Sequence, residues 1–297
     1  MNRGFTYRER IAAASQGQPV HAYLSGRYSH SSPARWREHL EAGRVTLDGR
    51  VADAEELLKA GQRLTYHRPP WEEEPVPTDT PVLYDQGGVL VVHKPAGLPT
   101  QAGGGFLEHT LVHLMGQRGA SPIHRLGRWT SGAVICGRDP ATLAHLSRQL
   151  RARTLTKRYR ALATGRPERA AFDIDQPIGP VPYPPLGTVH GASRDGRPAL
   201  SHVRVVEQRP QAFLADVLIS TGRPHQIRVH LASVGHALVG DPLYGTGGLP
   251  LDGGSALPGD PGYSLHAAEV AFEHPESGVR VHVLAPDAAP LLRSHSY

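Results

Sequence analysis

Apolar positions along the chain fall into a short first block, a gap and a long second block. In the short block, Pro33 to Glu41 places Trp36 and Leu40 at i and i+4, the spacing of one helix face, with Gly43 as a left-handed stop. Val45 to Val51 alternates apolar and polar residues about Asp48-Gly49, a pair suited to a tight hairpin turn. The gap is Pro69-Pro70-Trp71-Glu72-Glu73-Glu74-Pro75-Val76-Pro77. Its prolines remove backbone donors and its acidic triplet favours water, so it reads as a linker.

The long block carries stronger signals. Val89-Leu90-Val91-Val92, bounded by Gly88 and Pro95, is an apolar run of buried-strand length, and Ala133 to Cys136 is another. Asp139-Pro140 supplies an N-cap and a first-turn proline ahead of Leu143, Leu146 and Leu150, the stripe of an amphipathic helix. Phe213 to Ile219 predicts a further strand, and Ile227, Leu231 and Val234 share a helical face that Gly235 ends. Strands and helices intermix without strict alternation, so the predicted class is α+β, a mixed sheet with helices packed on it. The expected layout is a tail over 1–17, a small α/β module over 18–68, the linker over 69–81 and one large domain over 82–297.

Charge changes the picture. Lys and Arg outnumber Asp and Glu by 32 to 27, for a formal charge of +5, which suits a polyanionic partner. The single Cys136 excludes an internal disulfide and a multi-cysteine zinc site. It sits in an apolar run where a buried, inert thiol is expected. No apolar run approaches bilayer length and no apolar segment follows Met1 to Phe5, so a cytoplasmic protein without a membrane partner is expected.

The most informative stretch is His124-Arg125-Leu126-Gly127-Arg128-Trp129-Thr130-Ser131-Gly132. It resembles the central motif of the RluA-type RNA pseudouridine synthases, whose usual wording is His-Arg-Leu-Asp-Arg-x-Thr-Ser-Gly. Further blocks extend the likeness from Val82 to about Pro286. They are Val91 to Leu98, Lys157-Arg158-Tyr159, Thr221 to Leu231, Val239 to Gly245 and Leu265-His266-Ala267. The resemblance implies a mostly antiparallel pseudouridine synthase sheet. The implied activity isomerises uridine in ribosomal or transfer RNA, with no metal or nucleotide cofactor, and a monomer is expected. In that reaction the base leaves C1′, turns in the pocket and rejoins through C5, and the nucleotide must first be extruded from its helix.

By the same resemblance, Arg125 enters the gap left by the flipped nucleotide, where a planar guanidinium can stack and hydrogen-bond. Tyr159 stacks on the uracil, and Arg228 pairs with the catalytic Asp. Arg128, Lys94 and Arg223 are expected to contact RNA. The segment from Pro33 to Leu64 resembles a small RNA-binding module first described in a ribosomal small-subunit protein, which makes Arg35, Arg37 and Arg44, with Arg27 and Arg50, candidate phosphate contacts. Competing readings are a core or edge tyrosine at 159 and solvated surface arginines in the module. His225 and His230 lie five apart with no thiols near them in sequence, so no zinc site is expected.

The family's nucleophilic Asp is Gly127 in this chain. Glycine removes the carboxylate and leaves Arg228 without its expected partner, which a relocated acid, water or an RNA phosphate would have to replace. Asp139 and Asp241 are the nearest acids in motif terms, although Asp139 reads as a helix cap and Asp241 as a turn residue. The readings that follow are a synthase, an RNA-binding or RNA-folding protein without isomerisation, and an altered residue in an active enzyme.

Overall fold

The structure, a computed structural model, describes residues 1–28 and 31–286. The chain divides into a small unit of Met1–Glu74 with Gly103–Leu107 and a large unit of Pro75–Ala102 with Glu108 onward.

The small unit contains β1 (Phe5–Arg10), α1 (Val20–Arg27), α2 (Pro33–Glu41), β2 (Val45–Leu47), β3 (Arg50–Val51) and β4 (Arg63–Arg68). Its antiparallel sheet runs β1-β4-β2-β3. Helix α2 begins where Ser32 accepts the Arg35 amide, and it buries Trp36 and Leu40 against Val45, Leu47, Leu64 and Tyr66. Asp48 and Gly49 turn the hairpin with φ of 50° and 87°, the left-handed pair that matches strand twist.

Two expectations are corrected here. Residues 1–17 are not a tail, because β1 pairs with β4 from Phe5↔Arg68 to Arg10↔Arg63. The signal was weak: FTYRER is charged, its strand lies at the sheet edge, and its aromatics Phe5 and Tyr7 stay half exposed. The acidic part of the linker is not wholly in water either. Glu73 is buried and accepts from the Asn2 side-chain amide (2.5 Å) and the Leu107 backbone N–H (2.9 Å), which replace its hydration.

The large unit opens with β5 (Val82–Gln86), β6 (Val89–Lys94), α3 (Leu111–Gln117), β7 (Ser121–Pro122), β8 (Ser131–Gly137), α4 (Pro140–Ala152) and β9 (Thr156–Thr164). It continues with β10 (Ala171–Ile174), β11 (Ile178–Tyr183), β12 (Gly187–Ala192), β13 (Ser201–Gln208), β14 (Ala212–Ile219), α5 (Gln226–Ser233), β15 (Leu265–Glu273) and β16 (Arg280–Leu284). The main sheet is ordered β10-β13-β14-β9-β15-β8-β6-β5, with β16 added to β15 and β7 to β8. Among the described strands only β8 and β15 pair in parallel.

The continuous apolar runs are explained by burial on both faces. Leu90, Val92, Val134 and Cys136 enter one core with Ile227 and Leu231 of α5, while Val89, Val91, Ala133 and Ile135 enter the other with Leu146 of α4. Asp139 caps α4 by accepting the Thr142 amide at 2.9 Å. Val234 departs from its expected helical face: it follows the last turn of α5 and is exposed.

The β8–β15 crossing explains Thr130-Ser131-Gly132. Gly132 has φ of 114°, and a Cβ there would lie 2.2 Å from the Ala267 carbonyl oxygen, so only glycine permits the approach. Beside it, the Ser131 hydroxyl meets His266 Nδ1 at 2.8 Å. The motif thus bolts two strands together and fixes the loop that precedes β8.

Candidate active site

Five segments of the large unit converge on a cleft of about 660 Å³. The loop before β8 brings Arg125 and Gly127, and the end of α4 brings Arg151 and Arg153. Strand β9 presents Lys157 and Tyr159 from one face. The β14–α5 connection and the first turn of α5 supply Arg223, Ile227 and Arg228, and Tyr263 precedes β15. The cleft therefore gathers Arg125, Gly127, Tyr159, Arg223 and Arg228. Among the described residues that line it there is no Asp or Glu, against six Lys and Arg side chains.

Arg228 does have a carboxylate partner, and it is Asp241. Arg228 Nε and Nη2 donate to the two Asp241 oxygens, each at 2.7 Å, and Nη1 donates to the Pro258 carbonyl at 3.2 Å. Burial opposes the Arg228 charge, yet the Asp241 hydrogen bonds and charge outweigh it and leave the guanidinium above its ordinary pKa. Asp241 is itself the turn residue expected, accepting the Leu243 and Tyr244 amides at 2.9 and 3.1 Å. It is not among the cleft's lining residues, and neither is Asp139. The Arg228 charge is thus neutralised by a buried carboxylate that does not line the cleft, and among the described residues no relocated acid lines it.

The space beside Gly127 is taken by a residue that sequence reasoning missed. A Cβ built on Gly127 would meet the Tyr263 hydroxyl at 2.8 Å and the Thr130 hydroxyl at 3.3 Å. The Tyr263 ring lies 4.2 Å from the Arg228 guanidinium carbon, a cation–π contact, and its hydroxyl is 3.4 Å from that of Thr130. A tyrosine two residues before Leu265-His266-Ala267 carries no sequence signal of this role.

The rim is pre-organised by Gln226, also unmarked in sequence. Its side-chain oxygen accepts the Arg223 amide (3.1 Å) and the Thr221 hydroxyl (2.8 Å). Its side-chain nitrogen donates to the Leu200 carbonyl (2.9 Å) and the Ser201 hydroxyl (3.1 Å). His225 adopts a left-handed φ of 55° at the start of α5, and its Nδ1 is 2.6 Å from the Tyr244 hydroxyl. His230 is spent between Ser201 and the Gln176 carbonyl, so the two histidines face different partners.

Burial shapes the titration of the lining groups. It pushes the Tyr159 phenol upward and the Lys157 ammonium downward. His124 falls to about 3, chiefly through burial and then through Lys157, and its Nε2 accepts the Ile135 amide at 3.1 Å. It is a neutral structural ring at ordinary pH. Cys136 is buried, with its thiol pushed up to about 12 by desolvation.

Lys94 does not lie where a phosphate contact would. It is fully buried, and its ammonium donates to the Pro95, Leu98 and Arg128 carbonyls at 2.8, 2.8 and 3.0 Å, clamping two loops. Desolvation lowers it to about 7. The expectation failed because a lysine in a Lys-Pro-x-Gly turn can serve backbone carbonyls as well as phosphates. Arg128 is likewise outside the cleft lining, with Nε on the Gly97 carbonyl at 3.0 Å. In the small unit, Arg35 pairs with Glu38 (2.5 Å), Arg37 with Glu55 (3.6 Å) and Arg50 with Glu56, while Arg44 donates to His39 Nδ1 (3.0 Å). The three ion pairs are exposed on their arginine side, where such pairs contribute little to stability.

Comparison with known proteins follows the same lines. Residues 88–233 match the family described as RNA pseudouridylate synthase. The chain is 40% identical over 268 residues to an uncharacterized RNA pseudouridine synthase of Synechocystis, covering 89% of this chain and 92% of that protein. It is 35% identical to RNA pseudouridine synthase 5 of Oryza sativa subsp. japonica (96% and 87% covered). It is 32% identical to ribosomal large subunit pseudouridine synthase D of Xanthomonas campestris (95% and 89%). Among solved structures, Human RNA Pseudouridylate Synthase Domain Containing 1 aligns with a TM-score of 0.57 at 25% identity, over 72% of this chain and 86% of that one.

Proposed function

The chain belongs to the RNA pseudouridine synthase family, and from that premise we propose that its cleft receives an extruded uridine of a structured ribosomal or transfer RNA and isomerises it to pseudouridine. One observation carries the reading: Tyr159 and Arg228 share a single cationic cleft with Lys157, Arg125 and Arg223. In this reading the Tyr159 ring is the stacking face for uracil, and the Lys157 ammonium donates to a uracil carbonyl. Arg125, on the exposed loop before β8, fills the space left in the RNA helix, and Arg223 takes a flanking phosphate. The volume falls within the roughly 300–1,000 Å³ of small-ligand pockets, enough to enclose a base and its sugar and exclude water.

Carbodiimide labelling tests this, because it marks pseudouridine without requiring a mass change. RNA from a deletion strain should lack one or more labelled uridines that the complemented strain shows. An identical pattern in both strains would overturn the reading. A second reading, RNA binding without isomerisation, is favoured by one specific observation, the lack of any carboxylate among the described lining residues. Intact, salt-sensitive RNA affinity with no labelled uridine anywhere would select it.

A further inference from the structure

Isomerisation needs a group on the sugar side of the pocket, and the described lining residues offer no acid for that place. The Tyr263 hydroxyl stands 2.8 Å from the point where the side chain of residue 127 would begin, at about the reach of an aspartate's own oxygens. Its ring is buried, and among the described residues its hydroxyl lies 3.4 Å from the Thr130 oxygen, long for an O–H···O bond. The Arg228 guanidinium lies over the ring face at 4.2 Å, a cation–π contact that holds the phenol beside Gly127. Arg228 is in turn held in place by Asp241 and Pro258.

We propose that Tyr263 is the catalytic nucleophile of this cleft, taking at C1′ the part that a carboxylate at position 127 would play. The inference rests on the isomerase reading. Tyrosine is chemically competent for the step, as some glycosidases use it to hold a sugar at its anomeric carbon. The phenol oxygen bonds to C1′ as the C1′–N1 bond breaks, and the phenolic proton passes to the departing uracil. After the base turns over the Tyr159 ring, C5 bonds to C1′ and the C1′–oxygen bond breaks. The C5 proton then returns to the phenolate. Atoms and electrons balance as an isomerisation, with no oxidant, reductant or co-reactant.

Gly127 is then part of the device, since any Cβ there would crowd the hydroxyl. Tyr263→Phe preserves the ring over Arg228 and deletes only the oxygen. Gly127→Asp combined with Tyr263→Phe puts a carboxylate into the space that oxygen vacates.

The test is a deletion strain complemented with the wild type, Y263F or G127D/Y263F, with pseudouridine mapped by carbodiimide labelling. Affinity for the total RNA of the deletion strain is measured alongside on each purified protein. The expected result is loss of product formation by roughly 10³-fold or more in Y263F, as for removal of a covalent catalytic group. RNA affinity should be unchanged, and activity should return in the double variant. Full labelling by Y263F beside an active wild type would overturn the role of Tyr263 and leave the isomerase reading standing. A wild type that labels no uridine while binding RNA would overturn the isomerase reading, and this inference with it.

Discussion

Asp241→Asn isolates the ion pair that stands behind the cleft. The asparagine keeps its oxygen for the Leu243 and Tyr244 amides, but its amide nitrogen confronts a guanidinium N–H, donor against donor. The side chains of Arg228 and Asp241 are 3% and 1% exposed, so water cannot take over the lost interaction. Removing one partner of such a pair costs about 3–5 kcal/mol, because the other charge stays buried. For a unit of this size, roughly 2–4 °C per kcal/mol converts that loss to a fall of about 6–20 °C in the midpoint of thermal unfolding. Circular dichroism reads the midpoint, and hydrogen exchange of the α5 amides confines the loss to the large unit. Arg228→Met combined with Asp241→Asn should recover most of it, since no uncompensated charge then remains. A single Asp241→Asn variant within about 1 kcal/mol of the wild type would refute the reasoning, because a weak pair of that size belongs to the solvated surface.

Other consequences follow from the same geometry. Lys94 titrates near its ordinary 10.5 when unfolded and at about 7 when folded, so between those values the unfolded state binds more protons. Stability of the large unit should therefore be fullest above pH 10.5 and fall as the pH drops to about 7, by at most ~1.4 kcal/mol per pH unit. Urea midpoints across that window check this, and Lys94→Met should flatten the slope. Arg153→Ala should weaken RNA binding irrespective of sequence and reduce the slope of log K against log salt by about 0.7–0.9, the loss of one phosphate contact; an unchanged slope would remove Arg153 from the RNA path. Gln226→Leu should speed hydrogen exchange over residues 220–225 and weaken RNA affinity; unaltered exchange there would show that the rim does not depend on this amide.

What sequence reveals of this molecule tracks how local each cause is. The Asp139 cap, the Asp48-Gly49 turn and the two-faced strand Val89–Lys94 are set by neighbours within a few residues, and each lies where periodicity and turn chemistry place it. The meeting of Tyr159 and Arg228 in one cleft was legible only through motif resemblance, because the two residues come from elements far apart in the chain. Asp241 stood among the candidate acids but could not be assigned to Arg228 from sequence, because a turn aspartate looks the same whether or not an arginine sits against it. Tyr263 escaped for a different reason: its importance comes from a volume that Gly127 leaves empty, and an empty volume has no letter in a sequence. Lys94 was misjudged because burial, which decides between a phosphate contact and a carbonyl clamp, is a tertiary property.

The counter-charge that Arg228 receives from Asp241 has an evolutionary meaning. In a site where one acid both reacts and balances the arginine, that acid is frozen, since losing it would break the wall as well as the chemistry. In this fold the balancing duty sits on a separate loop, out of reach of any ligand in the cleft. The front of the site is thereby free to drift, and a lineage can exchange its reactive group while the scaffold behind stays intact.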